Sequence, residues 1–168
     1  MSLHLLHYPH PLLREKAKPV TDFSEAFRAK VQMMFDLLYE KDQHALAIAA
    51  TQVGWLVRLF VADLSSQQDT PLCLINPEIS TQSGTVESEE GCLSIPGIYI
   101  TIPRAECITV NYQDPFGEPK TLQADGLLAR CIQHEIEHLD GILMIDKLSN
   151  LKKSRIVKKY QKQQKLAG

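Results

Sequence analysis

Asp125-Gly126-Leu127-Leu128-Ala129-Arg130-Cys131-Ile132-Gln133-His134-Glu135-Ile136-Glu137-His138-Leu139-Asp140-Gly141 is the stretch that decides how this chain folds. Its spacing is helical over 125–140. Leu128, Cys131, Ile132, Ile136 and Leu139 recur at one-turn intervals and give the segment an apolar side to bury. Asp125 stands where a side chain can cap the start, and Gly141 lies just past the end. His134 and His138 are four residues apart and leave the helix from one face. Two imidazoles so placed can bind one metal ion, and the adjacent Glu135 can reach a water on it. The apolar side argues for a packed helix and against a chance match on a solvated one.

Outward from this helix, Val57 to Leu64, Leu72 to Ile75, Ile98 to Ile102 and Ile108 to Tyr112 are short apolar runs with turn-formers between them, which predicts strands. Asp114-Pro115-Phe116-Gly117 is a turn that can join two strands. Near the start, Asp22 with Glu25 resembles a capping box. Phe27, Val31, Met34 and Leu38 then mark an amphipathic helix over roughly 23–41. Residues 1–20 contain Pro9, Pro11 and Pro19 and read as an extended or turning lead-in. A last helix is predicted over about 149–166, with Leu151, Ile156, Val157 and Tyr160 on its narrow apolar side. Helix, strands, then helices is an α+β order and not a βαβ repeat.

The length, 168 residues, suits a single domain over 1–168 that buries its own core. Apolar residues make up 44% and charged residues 23%, which excludes disorder and collagen-like chains. No apolar run reaches the length of a membrane span. The first residues lack a basic, then apolar, leader, so no signal peptide is expected and a bacterial cytoplasm is. Cys73, Cys92, Cys107 and Cys131 form no paired framework, which fits reduced or metal-bound thiols. Cys73 and Cys107 sit in apolar runs and read as small core residues. The net charge of −2 hides an asymmetry: seven of the 18 basic residues and none of the 20 acidic ones fall in 148–168. An acidic body with a basic tail points to an anionic partner for the tail.

Two histidines do not complete a catalytic metal site, which usually has three protein ligands and one open position. Downstream of His138 the only carboxylates are Asp140 and Asp146, and there is no His or Cys. Upstream, Glu90-Gly91-Cys92-Leu93-Ser94 places Cys92 in a short glycine-containing turn, where a thiolate can be presented. A lone cysteine is more often a small core residue.

Three co-ordered motifs make a resemblance specific. Ala45-Leu46-Ala47-Ile48-Ala49-Ala50-Thr51-Gln52, then Glu90-Gly91-Cys92-Leu93-Ser94, then Gln133-His134-Glu135-Ile136-Glu137-His138-Leu139 resemble, in order and spacing, the G-x-G-L-A-A-x-Q, E-G-C-L-S and Q-H-E-x-D-H-L motifs of the peptide deformylases. The resemblance spans nearly the whole chain. It implies mostly antiparallel sheets packed around the central helix, with N-terminal and C-terminal helices. It implies hydrolysis of the N-formyl group of nascent polypeptides, with release of formate. Cys92, His134 and His138 would bind one divalent ion, Fe²⁺ in many members, with Zn²⁺ or Ni²⁺ also accepted. Glu135 would be the general acid and base. Gln52 and the backbone N–H of Leu93 would meet the oxyanion. Substrate peptides would lie extended along a strand edge. Leu46, Ala47, Ile48, Gly91, Gly97, Tyr99, Leu127, Arg130 and Cys131 are the candidate substrate contacts. The basic tail resembles the helix by which such enzymes dock on the ribosome near the nascent-chain exit. Neither DNA nor a membrane is expected as a partner, and a monomer is.

The chain departs from those motifs at four places that bear on chemistry. Ala45 and Ala47 replace glycines, which costs little if φ is negative there. Glu137 replaces an aspartate and should shift the support of the ligand histidines. Arg130 replaces an apolar residue. Its guanidinium must reach solvent, pair with a carboxylate, or make the pocket partly polar. A zincin-like peptidase remains the second enzyme class, but it lacks a downstream third ligand.

Overall fold

The sheet at the centre of this molecule forms around a strand that is apolar on both sides. The computed structural model describes residues 2–40 and 45–167. In chain order the elements are helix α1 (Glu25–Leu38), strands β1 (Ala47–Ala49), β2 (Leu59–Ala62), β3 (Leu72–Ser83), β4 (Val86–Cys92), β5 (Ile95–Arg104), β6 (Cys107–Gln113) and β7 (Pro119–Asp125), then helices α2 (Gly126–Leu139) and α3 (Asn150–Ala167). Short 3-10 turns lie at Pro11–Arg14, Ala50–Val53 and Met144–Lys147. One sheet has the order β1-β2-β3-β6-β7, and β4 and β5 form a separate hairpin. All these pairings are antiparallel. The described residues adopt the expected α+β fold, with antiparallel sheets and three helices.

Strand geometry explains the layering. Side chains alternate along β2, so Leu59 and Val61 face one way, and Phe60 and Ala62 the other. Leu59 and Val61 join Ile48, Ile75, Val31 and Met34 in the core beneath α1. Phe60 and Ala62 join Leu74, Val110, Ala129, Ile132 and Leu139 in the core beneath α2. The His-Glu-x-x-His helix is therefore packed on the sheet by the side opposite its histidines. A third core lies under the hairpin. Ile98, Ile100 and Ile102 of β5 meet Leu13, Leu143, Met144, Ile145 and Tyr160.

Several expectations shift in detail. Helix α1 starts later than predicted: Ser24, not Asp22, is its cap, with Oγ accepting the Phe27 N–H at 3.2 Å. Asp22 instead accepts the Ser24 N–H at 3.0 Å. The helix ends at Leu38, and Lys41 lies outside the described residues. Strands β3 and β5 run well beyond their apolar runs, and β1, β4 and β7 were not anticipated. Asp125 sits at the cap of α2 but makes no side-chain capping bond. Gly141 does end that turn. Its φ is +74°, and a Cβ would stand 2.3 Å from the Arg14 carbonyl oxygen, so only glycine fits. Leu151 is exposed and takes no part in the apolar side of α3. Cys107 is exposed also, not a core residue. The four cysteines are free.

Helix α3 closes the structure onto its N-terminal segment. Tyr160 Oη donates to the Tyr8 carbonyl at 3.0 Å, and the two rings meet edge to face. Lys153 and Arg14 both pair with Asp146. The Tyr8 N–H in turn donates to the Ser94 carbonyl at 2.8 Å, which ties this lead-in to the tip of the hairpin.

Asp63, just after β2, anchors its loop to the end of α1. It accepts from Tyr39 Oη at 2.7 Å and from the Ser65 and Thr70 N–H groups. Burial opposes its ionisation, but the bonds from Ser65, Tyr39 and Thr70 outweigh that and lower its pKa from 3.8. A lowered folded pKa stabilises the fold above the unfolded value, and that contribution fades as pH falls through the folded one. Asp63→Asn is therefore expected to be less stable than wild type at neutral pH. The gap should narrow once pH drops below about 3.8, as read from urea midpoints along a pH series.

Candidate active site

The hairpin presents its cysteine by breaking its own ladder. Cys92 pairs with Ile95 across the turn Leu93-Ser94, but the preceding Gly91 pairs with Tyr99. Pro96, Gly97 and Ile98 are thus bulged out. Gly97 makes the bulge possible with φ +80°. At this tip Cys92 Sγ lies 3.3 Å from His138 Nε2 on α2. One ligating atom from each of Cys92, His134 and His138 falls within 4.8 Å of the others. The two imidazoles stand 5.0 Å apart at 60°.

A buried chain of charges holds the second histidine in place. Glu90 Oε1 lies 2.8 Å from His134 Nδ1. The same carboxylate takes two parallel bonds from Arg104 Nε and Nη2, each 2.8 Å. Arg104 Nη1 is 2.8 Å from Glu137 Oε1, close enough for an ion pair but not aligned as a hydrogen bond. Glu137 Oε2 continues to Lys147 Nζ at 2.6 Å. With Nδ1 of His134 engaged by Glu90, its Nε2 is left to face Cys92 and His138. Gln133 adds a second tie between α2 and the end of β5. It donates to and accepts from the backbone of Ala105 at 3.0 and 2.9 Å.

Glu135 sits beside this cluster, buried, with Oε2 unpartnered among the described residues. Burial pushes its pKa up to about 7. Burial likewise holds His138 well below the usual imidazole range and keeps the ring neutral. His134 is raised well above that range: burial works against its charge, but Cys92 and Glu90 outweigh it. Glu90 is lowered to about 2; burial would raise it, and the bonds from Arg104 and His134 prevail. Gln52 is buried too. Its Oε1 accepts the Ala49 N–H at 2.9 Å, and its Nε2 donates to Ser94 Oγ at 3.1 Å and lies 3.6 Å from Cys92 Sγ.

A cleft of ≈ 530 Å³ opens over these groups, the size of a small-ligand site. Gln52, Gly91, Cys92, Leu93, His134 and Glu135 line it, as do Leu46, Ala47, Gly97, Tyr99, Leu127, Arg130 and Cys131. His138 lies deeper. Leu46, Tyr99 and Leu127 are large apolar side chains left exposed at its rim. Ile48 does not belong to the cleft. Strand alternation turns it into the core under α1, where it is fully buried, so its side chain is withdrawn from the expected substrate contacts. Ala45 and Ala47 cause no strain, because among the described residues only Gln68 and Asn76 are non-glycine positions with positive φ.

Sequence reading missed Arg104 and the role of Glu90. A signal for Arg104 was present. It continues the alternation of Ile98, Ile100 and Ile102, so it points inward, where a charge needs a partner.

One thiol and two imidazoles, clustered and buried, suit a divalent transition metal such as iron, zinc or nickel. The unpartnered carboxylate beside them and the open cleft leave room for one more ligand. The residues thus fit a single ion with an open position, and the fold and donor set define a metal-site enzyme. Comparison with known proteins names its kind. A family model described as polypeptide deformylase matches residues 2–154. A peptide deformylase of Chromobacterium violaceum is 45% identical over 163 residues, covering 97% of this chain and 96% of that one. The crystal structure of a peptide deformylase from Legionella pneumophila superposes with a TM-score of 0.93 at 41% identity, covering 99% and 98% of the two chains. One from Synechococcus elongatus, in complex with actinonin, gives 0.87 at 40% identity, covering 94% and 86%. The chain belongs to the polypeptide deformylase family. Its activity is the metal-dependent removal of the N-formyl group from nascent polypeptides.

Removing the guanidinium of Arg104 would take both of its bonds from Glu90 and leave Glu137 held by Lys147 alone. Breaking a buried ionic network in this way costs about 3–5 kcal/mol. Arg104→Met is expected to show a loss of that order in urea unfolding, and a loss near zero would show that the network is not holding helix and hairpin together.

Proposed function

We propose that Cys92, His134 and His138 hold the catalytic ion and that Glu135 moves the proton in deformylation. The observation that carries this is the convergence of those three ligating atoms beside a buried, unpartnered carboxylate. Those three residues would hold the ion, whose chemistry would be to lower the pKa of a water and to polarise the formyl oxygen. Glu135 takes the proton of the attacking water and returns it to the departing amine. A pKa near 7 suits both steps. Gln52 Nε2 donates to Ser94 Oγ and toward Cys92 Sγ, and the second of these N–H groups is the proposed donor to the formyl oxygen as negative charge grows on it. The Leu93 N–H, in the two-residue turn, is the other proposed donor. Glu90 orients His134, and burial keeps His138 unprotonated and ready to ligate.

The peptide itself is proposed to lie extended along β1, an edge strand of the five-stranded sheet whose Leu46 and Ala47 line the cleft. Gly91, Gly97, Tyr99, Leu127 and Cys131 would complete its contacts. By resemblance the resident ion is iron(II), with zinc or nickel accepted. The chain is read as one domain acting as a monomer, since cleft and donor set are complete within it. We place it in a bacterial cytoplasm, as its curated relatives are bacterial; among the described residues no helix is long and apolar enough to cross a membrane. Helix α3 is the proposed ribosome contact. Lys152, Arg155, Lys158, Lys159, Lys162 and Lys165 are exposed on it, and salt should weaken such an interaction.

Formate release from formyl-Met-Ala-Ser, with protein loaded anaerobically with Fe²⁺, tests the roles. Glu135→Gln should retain the ion and lose about 10²–10⁴-fold in kcat. Wild-type turnover with an unimpaired Glu135→Gln would remove Glu135 from the mechanism.

A further inference from the structure

His134 owes its orientation to Glu90, but His138 has no carboxylate of its own. Its ring is buried, and among the described residues its Nδ1 finds no hydrogen-bond partner. A ligand imidazole is usually oriented through the nitrogen that does not meet the metal. His138 also stands in the weaker part of α2. It is the second-last residue of that helix, where carbonyls lose their partners and helices fray. The placement of this ring therefore depends on how the helix end is held.

Arg58, just before β2, supplies a side-chain clamp on that end. Its Nη1 donates to the Leu139 carbonyl at 3.0 Å, and its Nη2 pairs with Asp140 Oδ1 at 3.0 Å. A cation here also meets the negative end of the helix dipole. The side chain is 17% exposed, so solvent screens these bonds little. Its backbone is fixed on both sides: the Arg58 N–H donates to the Lys18 carbonyl at 2.9 Å, and its carbonyl accepts the Asn76 N–H at 2.7 Å. The Ala17 N–H shares the Leu139 carbonyl at 2.8 Å, and Thr51 Oγ1 donates to the His138 carbonyl at 3.3 Å. Of these three partners, Arg58 is the charged one, and charge-assisted bonds are the stronger.

We infer that Arg58 is a positioning residue for the reaction: it clamps the last turn of α2 and thereby sets His138 against Cys92 and His134. This rests on the reading of those three residues as one metal centre. Without the clamp the last turn must be ordered before His138 can ligate, and affinity falls with the fraction of molecules in which it is ordered.

The test uses full-length wild type, Arg58→Met and Arg58→Lys, each shown by urea unfolding to be folded under the assay conditions. A protein that stays folded does not lose metal affinity through a loss of global stability alone. Cobalt(II) affinity is titrated, and amide hydrogen exchange over 136–139 is followed in the metal-free proteins. Arg58→Met is expected to bind cobalt about 10–100-fold more weakly, with its Cys92 charge-transfer band kept at saturation. Exchange over 136–139 should quicken in step. Arg58→Lys keeps the charge without the fork and should recover part of both. Wild-type affinity in folded Arg58→Met, or in Arg58→Lys if the first variant unfolds, together with unchanged exchange over 136–139, overturns the inference. A wild type with no Cys92-dependent band overturns the metal centre itself, and the inference with it.

Discussion

The guanidinium of Arg104 joins the two halves of the site. It leaves the end of β5, grips Glu90 of β4 with two bonds, and meets Glu137 of α2 with its third nitrogen. Glu90 passes that restraint to His134. The hairpin that carries Cys92 and the helix that carries the histidines are separate elements with separate cores. Apolar packing is non-directional and cannot by itself set a sulfur against two nitrogens to a few tenths of an ångström. Fixed, paired charges in a dry interior can, and their desolvation cost is tolerable only because every member has a partner. Stability is not the evident gain here; placement is.

Much of this was legible in the residues because helical period and metal chemistry leave strong marks. The step from His134 to His138, the apolar face of α2 and the stop at Gly141 each follow from geometry that any helix obeys. The short strands were less readable. Strand β1 is three residues long, and β4, Val86 to Cys92, is nearly all polar, because one side of the hairpin lines a cleft and not a core. Period alone cannot announce such a strand. Ile48 was misjudged for a related reason: proximity in sequence to Ala47 says nothing about which side of the strand a residue takes.

The departures from the family motifs sort into those the backbone absorbs and those it uses. Alanine at 45 and 47 is absorbed, since neither position has positive φ. Glutamate at 137 is used: its carboxylate spans Arg104 and Lys147, so the restraint on His134 extends to the turn after α2. That turn is coupled to the tail as well, through Asp146 and Lys153. Tyr160 then fixes Tyr8, whose N–H holds Ser94 beside Gln52. The basic helix thus braces the side of the site where Ser94 meets Gln52, whatever it meets in solution.

Cobalt(II) loading of the full chain tests most directly whether Cys92, His134 and His138 form one metal centre. Thiolate-to-cobalt charge transfer reports sulfur in the coordination sphere, and titration gives the stoichiometry. One ion per chain is expected, with a charge-transfer band that Cys92→Ala abolishes, while His134→Ala and His138→Ala each lose most of the affinity. An ion bound as tightly by Cys92→Ala, with an unchanged spectrum, would contradict the centre described here.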